Sequence, residues 1–192
     1  MKHILADIDF SADASVVARR LIGVTVLVGG VGGRIVETEA YDRLDPASHT
    51  FSGMTPRNAS MFGPPGGAYV YRSYGIHWCL NFVCREAGHG AGVLLRAIEP
   101  LAGIDSMRAR RGVDDARLLC SGPGRVCQAL AVTQAHNGLP LDAPPFALLA
   151  HAEEAVVLAG PRIGISKARD TPWRFVLAGS RYLSKPMRMP AA

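Results

Sequence analysis

The chain has 192 residues, 48% of them hydrophobic, so it can bury one sizeable core without disulfide staples, and a single domain is expected. Its net charge of +5 and pI near 9.3 favour an anionic partner such as nucleic acid, and all its basic side chains except Lys2, Lys167 and Lys185 are arginines, whose forks suit phosphate. The spacing of Cys79, Cys84, Cys120 and Cys127 fits neither a secreted disulfide framework nor paired zinc ligands, and no stretch is long and apolar enough for a membrane span.

In chain order, MKHILADIDF breaks its apolar run at Asp7 and Asp9, which argues against a targeting segment and for an intracellular protein. ADASVVARRLIG reads as a helix capped by Ser11 and ending at Gly23. TVLV is a short strand, and the cluster Gly29, Gly30, Gly32 and Gly33 suits a turn returning into RIVETEAY, a second strand. Residues 42–67 carry turn formers without apolar periodicity and read as a long irregular loop, a feature that is usually functional in a compact domain. AYVYRSYGIHWCLNFVCR reads as two strands joined at a tight turn near Tyr74 and Gly75. VLLRAIEP is a strand stopped by Pro100, and helical spacing follows in LAGIDSMRARRG and PGRVCQALAV, with Ser121 and Gly122 at the second helix's start. LPLDAPPF reads as a surface loop, and PRIGIS and WRFVLAG as the closing strands.

If VETEAY is extended, Glu37, Glu39 and Tyr41 project to one face and Val36, Thr38 and Ala40 to the other. That face fits either a solvated sheet edge or the wall of a site. Tyr69, Tyr71 and Tyr74 fall within six residues and could fill a core or offer stacking surfaces; Tyr74, at the hairpin tip, fits a projecting wedge. Arg96 is the single charge in the apolar run VLLRAI, so it needs a carboxylate or an anion, for which Glu37 or Glu39 would serve. Asn81 is the one amide in WCLNFVC and His49 the loop histidine; each alone could be a satisfied core or surface residue.

Taken together, RIVETEAY, His49, TPRNASMF, GGAYVYRSYGIHWCLN, GVLLRAIEPLAG, LCSGPGRVCQAL, PRIGIS and RFVLAGS resemble the alkyladenine (methylpurine, 3-methyladenine) DNA glycosylase family, in order along nearly the whole chain. The resemblance implies an α+β fold, one domain over 1–192, with a curved, mostly antiparallel sheet, a protruding hairpin and flanking helices. It implies that Glu39 is the general base and that Arg96 positions the water or the carboxylate. Tyr41, His49 and Tyr71 would hold a flipped base, Asn81 would crowd the exocyclic amine of normal guanine, and Tyr74 would fill the gap left in the duplex. Backbone contacts would fall to Thr55, Arg57, Met61, Arg125 and Arg162. The loop HTFSGMT lacks the arginines of other family members, and His77 stands where they carry an aromatic ring.

The expected activity is hydrolysis of the N-glycosidic bond of alkylated or deaminated purines of the 3-methyladenine, 7-methylguanine, hypoxanthine and ethenoadenine type. Base flipping is cheapest at a damaged pair, which adds selectivity. A lyase would need an amine for a Schiff base, and no lysine lies in the pocket motifs, so a monofunctional enzyme is expected. No metal and no cofactor is implied, and the partner is double-stranded DNA bound by a monomer in the cytoplasm, or nucleoid if bacterial. Two other readings stand beside this one. A binding module of the same fold would hold lesions without cutting, and a carbohydrate glycosidase would use Glu37 and Glu39 as a carboxylate pair, since alternate strand residues lie roughly 7 Å apart.

Overall fold

The structure, a computed structural model, describes residues 8–150 and 155–187, and most of the interrupted apolar run that opens the chain lies outside them. The described residues form an α+β fold: four helices with an eight-stranded sheet whose strand pairs are all antiparallel. The strands are β1 (Thr25–Val28), β2 (Val31–Tyr41), β3 (Ala68–Ser73), β4 (His77–Cys84), β5 (Ala91–Ala102), β6 (Phe146–Leu149), β7 (Val157–Gly160) and β8 (Arg174–Leu177). Their main order is β3-β4-β5-β2-β1-β6; β8 joins the C-terminal half of β2, on the side where β1 pairs its N-terminal half, and carries β7. None of the helices described is long and apolar enough to cross a membrane.

Helix α1 (Ala14–Arg20) turns Ala14, Val17, Ala18 and the following Leu21 inward, the spacing of one apolar helical face, and packs on β2 and β5. Ser11 does not cap it. Its hydroxyl bonds Asp9, and the helix begins after Asp13, whose carboxylate pairs with Arg85. The glycine cluster divides its work. Gly29 and Gly30, at φ 56° and 80°, make the β1–β2 turn, whereas Gly32 and Gly33 lie within β2 where an added Cβ would stand 1.9 Å from the carbonyls of Val26 and Glu99.

Strand β5 does not stop at Pro100. The register with β2 slips at Leu101, and a proline at such a bulge costs no ladder bond, so the strand continues to Ala102. Helix α2 (Ile104–Arg111) starts only after Gly103. A short α3 (Ala116–Leu119) precedes α4 (Pro123–Ala129), which has proline in its first turn and packs Val126 and Cys127 toward β4 and β5. Ser121 does not cap α4; it accepts a bond from Arg125 instead. The Pro-rich LPLDAPPF is irregular until Phe146 opens β6. Residues 42–67 are irregular but for the single 3-10 turn Ala59–Phe62, and PRIGIS forms a loop rather than a strand.

Two further slips in the β2–β5 register create the site. Val36 is extra on β2 and Arg96 is extra on β5, so the two offset each other and the ladder resumes its pairing on either side. The alternation of faces changes across them. Ile35 and Ile98 belong to the apolar core, yet so do Ala40, Val93 and Leu95, which leaves Glu37, Glu39, Leu94 and Arg96 on the opposite face. The expected division holds: Thr38 faces α1, donating its hydroxyl to the Ala18 carbonyl at 2.9 Å, while Glu37, Glu39 and Tyr41 face away.

Candidate active site

A cavity of about 720 Å³ opens on that opposite face, within the roughly 300–1,000 Å³ usual for ligand sites. β2 contributes Tyr41, β3 Tyr69 and Tyr71, β4 Cys79 and Asn81, and β5 Leu94 and Arg96. The irregular loop adds His49, Arg57 and Met61, and the segment after β7 adds Ile163 and Gly164. Eight residues expected from the sequence thus meet around one cavity: Tyr41, His49, Arg57, Met61, Tyr71, Tyr74, Asn81 and Arg96.

Glu39 stands immediately behind the wall and is wholly buried. Its Oε2 accepts from the Tyr41 hydroxyl at 2.8 Å and from Arg96 at 3.2 Å, and its Oε1 from the backbone N–H of Ile163 at 2.7 Å. A carboxylate offers about four acceptor positions, so one stays open beyond these three bonds. Burial is the largest influence on Glu39 and raises its pKa above the usual carboxylate range; Arg96, the Ile163 N–H and the Tyr41 hydroxyl pull against it. Tyr41 is raised by burial and by the Glu39 charge, and therefore remains a hydroxyl donor. Burial opposes the charge of Arg96, but Glu39 and Glu37 outweigh it and hold its pKa above the ordinary value.

Glu37 has a different function. It is wholly buried, absent from the cavity wall, and held by four hydrogen bonds from Arg96, Arg174 and Ser184. Its arginine partners are Arg96, as expected, and Arg174, while Arg34 approaches Glu99 at 3.8 Å. Two carboxylates do not face one cavity, which removes the geometry a carbohydrate glycosidase would require.

The aromatic lining is mutually braced. Tyr69 and Tyr71 stack with centroids 5.4 Å apart, and His49 meets Tyr71 edge-on at 4.5 Å with Nδ1 lying 3.3 Å from the Tyr69 hydroxyl. Burial, then the nearby Arg57 charge, lowers the His49 pKa and keeps the ring neutral at pH 7, while burial pushes Tyr69 up to about 12. Asn81, paired with Tyr69 across the ladder, donates Nδ2 to the Tyr69 carbonyl at 3.1 Å and presents the rest of its amide to the cavity. At the hairpin tip Tyr74 and Gly75 have φ of 51° and 71°, and the Ile76 N–H returns to the Ser73 carbonyl, a turn matched to strand twist. Tyr74 is 90% exposed and Ile76 67%. Next to the tip, His77 packs on α4, where Gly124 leaves room for its side chain.

Of the five backbone-contact candidates, Thr55 and Arg57 are exposed beside the cavity mouth, Arg57 donating to the Arg72 carbonyl, and Arg125 is exposed on α4. The other two differ from expectation. Met61 is buried against Tyr69 with its N–H engaged by Asn58, and Arg162 is buried, sandwiched between Tyr41 (4.7 Å) and Trp173 (5.4 Å) and forked onto Asp45. Met61 lines the cavity and Arg162 backs its Tyr41 wall, and neither side chain is exposed. Sequence reasoning missed Asp45, Arg174, Ser184 and Asn58, whose amide ties the carbonyls of His49 and Gly53 and so shapes the loop. Arg174 alone carried a signal, as a charge inside the apolar WRFVLAG.

Residues 8–181 match the family described as methylpurine-DNA glycosylase (MPG). A protein of Nitrosospira multiformis is 69% identical over 183 residues, 95% of both chains. Relatives from Rhodopseudomonas palustris strain HaA2 (60% over 179 residues, 93% of this chain and 89% of its own) and Nitrobacter winogradskyi (63% over 172 residues, 90% and 83%) follow. All three bear the name "Putative 3-methyladenine DNA glycosylase". The protein is a DNA glycosylase, a hydrolase of the N-glycosidic bond acting in repair of alkylation damage. The chain belongs to the methylpurine-DNA glycosylase family.

Proposed function

We propose that the cavity receives a purine turned out of duplex DNA and that Glu39 is the general base for its hydrolytic release. The observation that carries this reading is the Glu39 carboxylate, buried and oriented by Arg96, Tyr41 and Ile163 at the inner wall of an aromatic cavity. Water attacks the anomeric carbon, the glycosidic electron pair leaves with the base, and the water's proton passes to Glu39. The ionised carboxylate also faces the positive charge that develops on the sugar.

The substrates are alkylated or deaminated purines: 3-methyladenine, 7-methylguanine, hypoxanthine and ethenoadenine. Tyr41, Tyr71 and a neutral His49 offer flat faces that attract a cationic base instead of repelling it. Asn81 on the floor rejects the exocyclic amine of normal guanine, and Tyr74 fills the space the flipped nucleotide leaves. Arg57 and Thr55, and Arg125 on the neighbouring helix, contact the backbone. Among the described residues no lysine lines the cavity, which supports a monofunctional enzyme; it acts as a monomer in the cell without a cofactor.

The full burial of Glu39 favours one second reading, a lesion-binding module of this fold that does not cut. Glu39→Gln separates the two. It is expected to bind a single-lesion duplex as wild type does and to release no base on a gel that reveals abasic sites. Undiminished release by Glu39→Gln would sink the mechanism, and lesion binding by wild type without release would establish the module.

A further inference from the structure

We propose that Ser184 and Arg174 are positioning residues for base release, which act through Glu37 to lock the Arg96 fork that orients Glu39. This rests on Glu39 being the base. Glu37 Oε1 accepts from Arg96 Nε at 3.0 Å, from Arg174 Nε at 2.9 Å and from the Ser184 hydroxyl at 2.8 Å, and its Oε2 accepts from the Ser184 N–H at 2.6 Å. Three of these four bonds converge on Oε1, and Glu37 does not line the cavity.

Arg96 is fixed in every direction. Nε is held by Glu37, one terminal nitrogen by Glu39 at 3.2 Å and the other by the Ser184 hydroxyl at 3.3 Å. Turning the guanidinium to release Glu39 would break all three bonds. Arg174 stands opposite Glu39 in the β2–β8 ladder but reaches diagonally to Glu37, and it spends its other nitrogens on the Lys185 carbonyl and the Met187 sulfur. The segment Ser184–Met187 therefore straps both arginines, although it lies beyond residue 181, where the family match ends.

Charge gives the strap a second consequence. Around Glu39 stand Arg96 from β5, Glu37 and Tyr41 from β2, Arg174 from β8 and, behind Tyr41, the Arg162–Asp45 pair. Two carboxylates and two arginines balance in the inner group. Removing the Arg174 charge leaves it net negative and disfavours ionised Glu39, so the acid limb of the rate profile moves to higher pH.

The test is single-turnover release from a duplex carrying one 7-methylguanine, with Glu39→Gln as control. Ser184→Ala is expected to slow release about tenfold, as loss of a bond to a charged group does, with lesion affinity within about twofold of wild type. Ser184→Thr, which keeps the hydroxyl, restores the rate. Arg174→Gln moves the acid limb to higher pH, and Arg174→Lys leaves it in place. An unchanged rate in Ser184→Ala, equal losses in Ser184→Ala and Ser184→Thr, or an unmoved limb in Arg174→Gln overturns the proposal. If Arg174→Gln does not fold, the Ser184 pair decides. Release by Glu39→Gln at the wild-type rate would instead overturn the underlying assignment.

Discussion

Replacing Asp45 with asparagine tests how the irregular loop is held against the pocket. The Asp45 and Arg162 side chains are 2% and 0% exposed, and both Asp45 oxygens accept from the guanidinium, which also donates to the Ala40 carbonyl at 2.9 Å. The amide keeps the shape but leaves a buried cation with no counter-charge, a defect costing about 3–5 kcal/mol. The Tyr41 and Trp173 rings on the guanidinium return part of that, so about 3 kcal/mol is expected. For a chain of this size that is roughly 6–12 °C of melting temperature. Thermal and urea unfolding followed by circular dichroism read it directly. A variant melting within 2 °C of wild type, by about the same reckoning, would refute the claim that this pair anchors the loop.

Three shorter predictions follow from the same geometry. Release of 7-methylguanine needs ionised Glu39, whose pKa burial raises, so the rate should fall as pH drops through a midpoint above the usual glutamate value of about 4.3; a profile flat to that point contradicts the assignment. Tyr74→Gly removes an exposed ring and relieves a positive φ, so stability should stay level or rise by about 0.5–1 kcal/mol while release from duplex DNA slows about tenfold or more. Equal activity would end the wedge reading. Arg57→Gln should lower the slope of log binding against log salt by about one, measured by fluorescence anisotropy, because one phosphate contact is lost.

Much of the site could be read in sequence because its residues violate local expectation. A charge in VLLRAIEP, an amide in WCLNFVC and paired carboxylates in VETEAY each require a partner or a cavity, and one cavity together with the arginine network behind its wall answers all three. The hairpin was legible from Tyr74-Gly75 between alternating strands. The rest depends on contacts that local pattern does not encode. Glu37 meets Ser184 and Asp45 meets Arg162 across more than a hundred residues, and a serine in a tail has no signature for such a role. PRIGIS has the composition of a strand, yet its Ile163 N–H goes to Glu39. Pro100 reads as a stop because bulges are invisible to composition, and Ser11 reads as a cap although Asp9 takes its hydroxyl.

The paired bulges at Val36 and Arg96 make the sheet two lattices that meet out of phase, with the proposed chemistry on the boundary. An ordinary ladder would oblige Ile35, Glu37 and Glu39 to share a face, so acid and core would compete for one environment. The phase change lets a single strand serve an oily interior for half its length and a charged one for the rest. A one-residue deletion inside the acidic half, at Thr38, would put Glu37 and Glu39 on opposite faces and turn one carboxylate toward apolar packing. Substitutions at this boundary should therefore be far easier to accommodate than insertions or deletions of one residue.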